Sequence, residues 1–236
     1  VFVFSYIKYK QIILKKQNTN EYDQLVTCYT EEFGKVTAIA KSVLKPSSIQ
    51  AMHLDLFNLV EFELINGRGM PIITGAQAED TQAGLKNNLI NLATAYFFAE
   101  TIDKLAFEYQ KDEELWNFLR DLLAELNIKY KRASFVLQKM PFCTNSFFRD
   151  KQLEFLNILG YAPNLEECVF CAKPDLIAYN VQARGAVCKS CFLNGQEGIV
   201  VKNNDFLSES VLGSIFESLA EKKISSLNFL NFVLKL

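Results

Sequence analysis

The sequence predicts an α+β chain in which a small amino-terminal β-barrel, residues 1–78, precedes an all-α helical domain, residues 79–236. Three observations predict it. The first 75 or so residues hold short alternating runs separated by turn signals, and after Gly75 the apolar spacing changes from two to three and four. Late in the helical part, at about 165–195, four cysteines stand as two Cys-x-x-Cys pairs, the pattern of a zinc module.

The strands are expected in order. Phe2, Phe4 and Tyr6 alternate, the run 11–16 follows, and 23–30 comes after the turn-like Asn18-Thr19-Asn20. Gly34 opens the next strand, 35–41, where Val36, Ala38 and Ala40 alternate with Lys35, Thr37, Ile39 and Lys41 until Lys45-Pro46-Ser47-Ser48 breaks it. A long strand is expected over 54–65, with Val60, Phe62 and Leu64 on one face and Glu61 and Glu63 on the other. Asn66-Gly67-Arg68-Gly69 then turns the chain into 70–74. About five short strands in so few residues suit a closed barrel such as an OB-fold better than a two-layer sandwich.

The first long helix is expected over 89–107, with Leu92, Ala95, Tyr96, Ala99, Ile102 and Ala106 forming a stripe pressed on neighbouring helices. Asp112 can cap a helix over 113–126, where Leu115, Leu119, Leu122 and Leu126 share a face with Trp116 beside them. Ser146 can cap another that ends at Gly160, ahead of Pro163. Asp205 or Ser208 begins a helix reaching about Lys222, and 227–234 forms a last short one.

The cysteines Cys168, Cys171, Cys188 and Cys191 leave sixteen residues, 172–187, between the two pairs. A two-residue gap lets both thiolates of a pair reach one ion from a tight turn, and two pairs complete the tetrahedron that Zn²⁺ prefers. With all four positions filled by sulfur none remains for water, so the site reads as structural rather than catalytic. Two disulfides, or two redox pairs, are the competing assignments; the first lacks a secretory signal and the second a βαβ setting. Lys173, Arg184 and Lys189 are near enough in sequence to screen the sulfur charge. Cys28 and Cys143 read as buried small apolar residues.

Lysines at 8, 10, 15 and 16 interrupt the start, so a secretory signal is not expected there, and no stretch approaches the ~20 apolar residues of a membrane span. A reducing cytoplasm is the expected setting. Net charge is −2; residues 1–80 hold 8 basic and 9 acidic groups, 81–167 hold 10 and 12, and 168–236 hold 7 and 6. Any nucleic-acid surface must therefore be local. No enzyme is expected: His53, the sole histidine, has no partner motif. Glu113, Glu114 and Asp121 make a solvated helix face, and Gly67-Arg68-Gly69 lacks the later glycine and following helix of a phosphate cradle.

Two features can hold a nucleic acid. Residues 1–60 carry seven lysines, at 8, 10, 15, 16, 35, 41 and 45, against five acids, and Tyr6, Tyr9, Tyr22 and Tyr29 supply rings for stacking. The bland account is that lysines blunt barrel edges while the rings fill its interior. Lys129, Tyr130, Lys131, Arg132 and Lys139 form a second basic island, placed between helices, that suits a phosphate backbone, an acidic peptide or plain solvent.

The order of these features resembles the bacterial RecO family of DNA repair and recombination mediators over nearly the whole chain. The resemblance rests on Glu21-x-Asp23, on Tyr29-Thr30-Glu31-Glu32-Phe33-Gly34-Lys35-Val36 and on Gly67-Arg68-Gly69. It continues through Ala99-Glu100-Thr101-Ile102-Asp103-Lys104-Leu105 and Leu156-Asn157-Ile158-Leu159-Gly160-Tyr161-Ala162-Pro163 leading into Cys168. It implies an amino-terminal OB-fold, a helical carboxy-terminal domain and structural Zn²⁺ on Cys168, Cys171, Cys188 and Cys191. It also implies binding of single- and double-stranded DNA at the nucleoid, strand annealing, and partnership with RecR and with the tail of single-stranded DNA-binding protein in loading RecA. Lys35, Lys41 and Lys45 fall where the family carries a basic strand and loop, and Lys15, Lys16 and Arg68 complete the expected DNA contacts. The family's denser basic run is thinned here to Lys41-Ser42-Val43-Leu44-Lys45, and its late basic segment is Ile224-Ser225-Ser226-Leu227-Asn228, which implies weaker DNA affinity or reliance on partners. The competing function is a protein-interaction scaffold with little direct DNA binding, which the balanced charge favours.

Overall fold

The computed structural model describes residues 8–67, 69–136, 145–202 and 205–234, with side chains for 9–67, 69–127, 146–202 and 205–234. Phe2, Phe4, Tyr6, Arg68, Lys139 and Cys143 lie outside the described residues. Two compact units are formed, one reaching Phe142 and the other spanning 143–234.

In the first unit β1 (Lys8–Asn18), β2 (Gln24–Thr30), β3 (Gly34–Ala40), β4 (Leu59–Ile65) and β5 (Ile72–Asp80) close a barrel in the order β1-β2-β3-β5-β4. β1 pairs antiparallel with β4 through residues 8–12 and with β2 through 11–18, and a register shift between Ile13 and Lys15 bends it from one partner to the other. Parallel pairing of Ile39 with Ile72 and Ala40 with Ile73 joins β3 to β5. This closure is the OB-fold. The alternation in β3 and β4 sends Val36, Ala38, Ala40, Val60, Phe62 and Leu64 inward, where they meet Ile13, Val26, Cys28, Val43, Leu54 and Ile73. Each large side chain of this core contributes about 1.5–3 kcal/mol by leaving water. Cys28 is fully buried and burial pushes its thiol far up, consistent with the apolar role expected for it.

Two strand boundaries differ from expectation. The strand expected over 54–65 begins only at Leu59, because Phe57 takes a left-handed φ of 65° and the Asn58 side chain donates to the carbonyls of Met52 and His53, closing a turn. β5 runs on past Gly75 to Asp80, held by antiparallel pairing with β4.

The helices of this unit are α1 (Ala83–Lys86), α2 (Leu89–Leu105) and α3 (Glu113–Val136). Buried Phe97, Phe98 and Ile102 of α2 and Leu115, Phe118, Leu119, Leu122 and Leu126 of α3 supply their core, and Phe98 meets Phe118 edge to face. Asn91 donates to the Leu126 carbonyl at 2.8 Å. α3 continues through positions 129–132, so the basic island begins on a helix rather than in a connection; its side chains lie outside those described. Asp112 caps α3 as expected, its Oδ1 accepting the Leu115 N–H at 3.0 Å. Asp112→Ala is expected to lower unfolding free energy by about 1 kcal/mol. The measurement is a fall in urea midpoint with the m-value unchanged.

In the second unit α4 (Asn145–Ile158), α6 (Glu209–Leu219) and α7 (Ser225–Val233) pack through Phe148, Phe155, Leu156, Leu212, Phe216 and Leu230, with Phe155 and Phe216 stacked at 6.1 Å. Ser146 lies inside α4 rather than capping it, while Gly160 takes the expected left-handed φ of 73°. Ser208 is the N-cap residue of α6 but its side chain makes no cap bond. Between these helices stand β6 (Leu176–Asn180), β7 (Gly185–Cys188), the one-turn α5 (Lys189–Leu193) and β8 (Ile199–Val200), with the strands ordered β7-β6-β8. This small sheet was not expected. Among the described residues, no helix is long and apolar enough to cross a membrane.

Candidate functional site

The four cysteines sit at one end of the β6–β7 hairpin. The first pair belongs to a tight turn before β6, in which the N–H groups of Cys171 and Ala172 donate to the Cys168 carbonyl at 3.3 and 2.8 Å. Ala172 completes this turn at a φ of 57°, a conformation that costs an ordinary residue about 1–2 kcal/mol and so needs support. Cys168 N–H donates to Lys173 O, and Val169 N–H to Ala186 O on β7, both at 3.0 Å. The turn lies so close to β7 that a Cβ on Gly185 would stand 2.0 Å from Val169 Cγ1. The second pair straddles the junction of β7 and α5, where Cys191 N–H donates to Cys188 Sγ at 3.4 Å.

All four Sγ atoms lie within 4.8 Å of one another, with Cys171 and Cys188 at 3.5 Å. Sulfurs around a tetrahedral zinc at ~2.3 Å stand about 3.8 Å apart, so the cluster has the size of a metal site. It is far too open for a disulfide, whose sulfurs stand about 2.05 Å apart, and all four thiols are free. Burial raises the Cys168 thiol, but N–H groups of Cys188, Phe170 and Cys171 outweigh it and take it down to about 6. Cys191, beside the Cys171 sulfur and desolvated, is pushed up to about 12. Four thiolates thus need a cation to coexist. Of the basic residues expected to screen them, Lys173 and Lys189 are exposed, while Arg184 stacks over the Tyr161 ring at 4.5 Å.

On the barrel, the expected DNA contacts fall into two groups. Lys15 pairs with Asp103 at 2.9 Å and Lys16 with Asp55 at 3.6 Å. Lys35, half-buried on β3, donates to the Asp103 carbonyl at 2.7 Å. Lys41 and Lys45 are exposed on the connection from β3 to β4. That connection is pinned at its start, where Asp23 Oδ1 accepts the Ser42 N–H at 2.7 Å; this bond and the Asn20 side chain hold the Asp23 carboxyl below the usual range. Arg68 lies outside the described residues.

The tyrosines separate in the same way. Tyr9 and Tyr29 are buried, Tyr22 is 48% exposed, and Lys45 Nζ stands 5.2 Å above its ring. His53 is structural, its Nδ1 accepting the Ala78 N–H at 3.2 Å. Glu113, Glu114 and Asp121 are exposed. Among the described residues, the cluster of metal-ligating types is the cysteine quartet. The sequence reading missed Ile49 and Met52, which are 81% and 71% exposed on the β3–β4 connection. The available signal was two large apolar residues just after the turn-forming Pro46-Ser47-Ser48.

The family model described as "Recombination protein O N terminal" matches residues 4–82, and "Recombination protein O C terminal" matches 86–222. Among curated relatives, a DNA repair protein RecO of Thermoanaerobacter sp. is 28% identical over 186 residues, covering 78% of this chain and 71% of the relative. A DNA repair protein RecO of Dehalococcoides mccartyi is 26% identical over 231 residues, covering 93% of this chain and 85% of the relative. One of Caldanaerobacter subterraneus is 25% identical over 211 residues, covering 88% and 77%.

Proposed function

Because the chain belongs to the RecO family, we propose that it is a DNA-binding mediator of recombinational repair, one that anneals complementary strands and helps load RecA onto DNA coated by single-stranded DNA-binding protein. The partners are single- and double-stranded DNA, RecR and the carboxy-terminal tail of single-stranded DNA-binding protein, met in the cytoplasm at the nucleoid. No bond is made or broken. The barrel of 1–78 holds phosphate, and the helical domain of 79–236 docks proteins. Zn²⁺ on Cys168, Cys171, Cys188 and Cys191 fixes the module at about 165–195 and does no chemistry.

The observation that carries the reading is an OB barrel whose β3–β4 connection, 41–58, exposes Lys41 and Lys45 and holds a single acidic residue, Asp55, which is itself paired with Lys16 and Lys86. These two lysines lead the DNA contacts. Lys15 and Lys16 join them by leaving ion pairs worth about 0–1 kcal/mol each, and Lys35 and Arg68 complete the set. A cavity of about 320 Å³ in the second unit is lined by Arg184, Ile215 and Leu219 and also by Glu221, so its walls carry one cation and one carboxylate.

If about three to five phosphates are neutralised on a single strand, log affinity falls with log salt at a slope of about −2 to −3.5. Lys41→Ala with Lys45→Ala is expected to flatten that slope by about 1.4. A triple alanine variant at Lys35, Lys41 and Lys45 that binds like the parent would sink the reading. Annealing of complementary oligonucleotides coated by single-stranded DNA-binding protein, with and without the chain, tests the activity itself. The second reading, a scaffold with little direct DNA binding, is favoured by the net charge of −2 and by the internal partners of Lys15, Lys16 and Lys35. It requires an acidic peptide to bind as before when the barrel lysines are removed, with annealing unaffected.

A further inference from the structure

Lys41 and Lys45 sit on either side of a backbone bend that one carboxylate holds. Ser42 takes a left-handed φ of 56°, which residues with a Cβ rarely adopt. Its N–H donates to Asp23 Oδ1 at 2.7 Å, and its carbonyl accepts the Lys45 N–H at 3.2 Å. Asp23 is itself fixed by the β1–β2 turn: Asn20 Nδ2 donates to Asp23 Oδ2 at 3.1 Å, Asn20 Oδ1 accepts the Asp23 N–H at 2.8 Å, and the Asp23 carbonyl accepts the Thr19 N–H at 3.0 Å. A second bond, from Leu44 N–H to Tyr22 O at 3.0 Å, ties the same two segments together. Buried Val43 keeps the connection attached to the barrel core. What the carboxylate adds is the direction in which the backbone leaves that anchor on each side, and so where the two ammonium groups stand.

We propose that Asp23 is a positioning residue for phosphate: by holding Ser42 it presents Lys41 and Lys45 together, and it strengthens DNA binding although it carries the same sign of charge as the ligand. The inference rests on the DNA-binding reading above and adds to it the residue that arranges its leading contacts. Two effects of Asp23 oppose each other. Its charge repels phosphate, and it is not remote, since Lys41 and Lys45 add to the Ser42 N–H and the Asn20 side chain in holding its carboxyl low. That repulsion acts through water and fades within a Debye length of about 8 Å at physiological salt. The hydrogen bond acts on the chain instead: without it, the backbone around Ser42 must give up its freedom at the moment of binding. A neutral acceptor at position 23 would keep the bond and drop the repulsion, so the sign of the change in affinity separates the two effects.

The experiment is anisotropy of the full chain with a labelled oligothymidylate at several salt concentrations, on Asp23→Ala and Asp23→Asn, each made in the parent and in a Lys41→Ala, Lys45→Ala background. Asp23→Ala is expected to weaken binding about five-fold with an unchanged salt slope, because the same lysines still meet the same phosphates. Asp23→Asn keeps an oxygen for the Ser42 N–H and should bind within about two-fold of the parent, or more tightly. In the background lacking both lysines, Asp23→Ala should change affinity by less than about two-fold, a result that general loosening of the barrel does not produce. Melting curves of every variant fix an assay temperature at which all are folded. The positioning role is overturned if Asp23→Ala binds as tightly as the parent or tighter, if Asp23→Asn falls as far as Asp23→Ala, or if the loss is the same with and without the two lysines. If the parent and the Lys41→Ala, Lys45→Ala protein bind equally well, the DNA-binding reading at these lysines fails and takes the role of Asp23 with it.

Discussion

Cys168→Ser is expected to release the metal and unfold the lobe that β6, β7 and β8 build. Cys168 is 2% exposed, and its sulfur is one of four that a cation must hold together. A serine hydroxyl stays protonated where the thiol is drawn down to about 6, so three ligands remain where four closed the site. Cys168, Ala178, Val187 and Cys188 pack as one buried cluster, and half of those are metal ligands; Tyr179 and Ala186 are buried in the lobe as well. Structural zinc supplies roughly 10–16 kcal/mol in small zinc domains, and that binding energy is also folding energy. The loss expected here is about 3 kcal/mol or more, above the range of an ordinary surface substitution. Elemental analysis should show about one zinc per parent chain and almost none in the variant. Hydrogen exchange should show the amides of Ala178, Tyr179 and Val187 losing protection. Zinc content and protection equal to the parent's would mean that the sulfur cluster is not what holds the lobe.

That contrast explains which parts of the molecule were legible beforehand. Spacing alone announced the quartet, because chelation by a tight turn demands a two-residue gap. The sheet beneath it was hidden: β7 has four residues and β8 two, and all four of β7 are buried, so neither shows an alternating pattern. In the barrel, β3 and β4 were legible from Val36, Ala38, Ala40 and Val60, Phe62, Leu64, since one face meets the core and the other does not. The start of β4 was not, because the turn depends on Phe57 adopting a positive φ, which its side chain does not advertise. Lysines show charge in a sequence but not its counterpart. Lys15 and Lys35 both find Asp103, 88 and 68 residues away, a pairing that only the docking of α2 against β1 creates. Sorting Tyr22 from Tyr9 and Tyr29 likewise needed the turn at 18–23, where Asn20 Oδ1 accepts the N–H groups of Tyr22 and Asp23 and keeps that ring outside.

Gly34→Ala is the other substitution with a large expected effect, about 3 kcal/mol of lost stability in the first unit. Gly34 opens β3 at a φ of 69°, after a turn in which Thr30 Oγ1 accepts Phe33 N–H at 2.8 Å and donates to Gly34 O at 3.1 Å. The backbone of 108–111 passes directly over it: Lys35 bridges to Glu108, and Tyr109 N–H donates to Lys35 O at 2.9 Å. A Cβ on residue 34 would stand 2.0 Å from Gln110 O and 2.6 Å from its carbonyl carbon. Both neighbours are backbone, so no side chain can swing aside, and the segment must lift from β3 and surrender its hydrogen bonds. Gly160→Ala isolates the conformational part: its φ is 73° but nothing lies within 4 Å of its Cβ. It should cost only about 1 kcal/mol. Urea midpoints of the two variants, taken with a probe in each unit, give the difference due to the close approach. Equal losses would mean that the 108–111 segment does not lie on the barrel as described. DNA binding well below the melting temperature should be unchanged in Gly34→Ala, because Lys41 and Lys45 lie beyond the far end of β3, on a connection held by Asp23, Thr74 and Asn58.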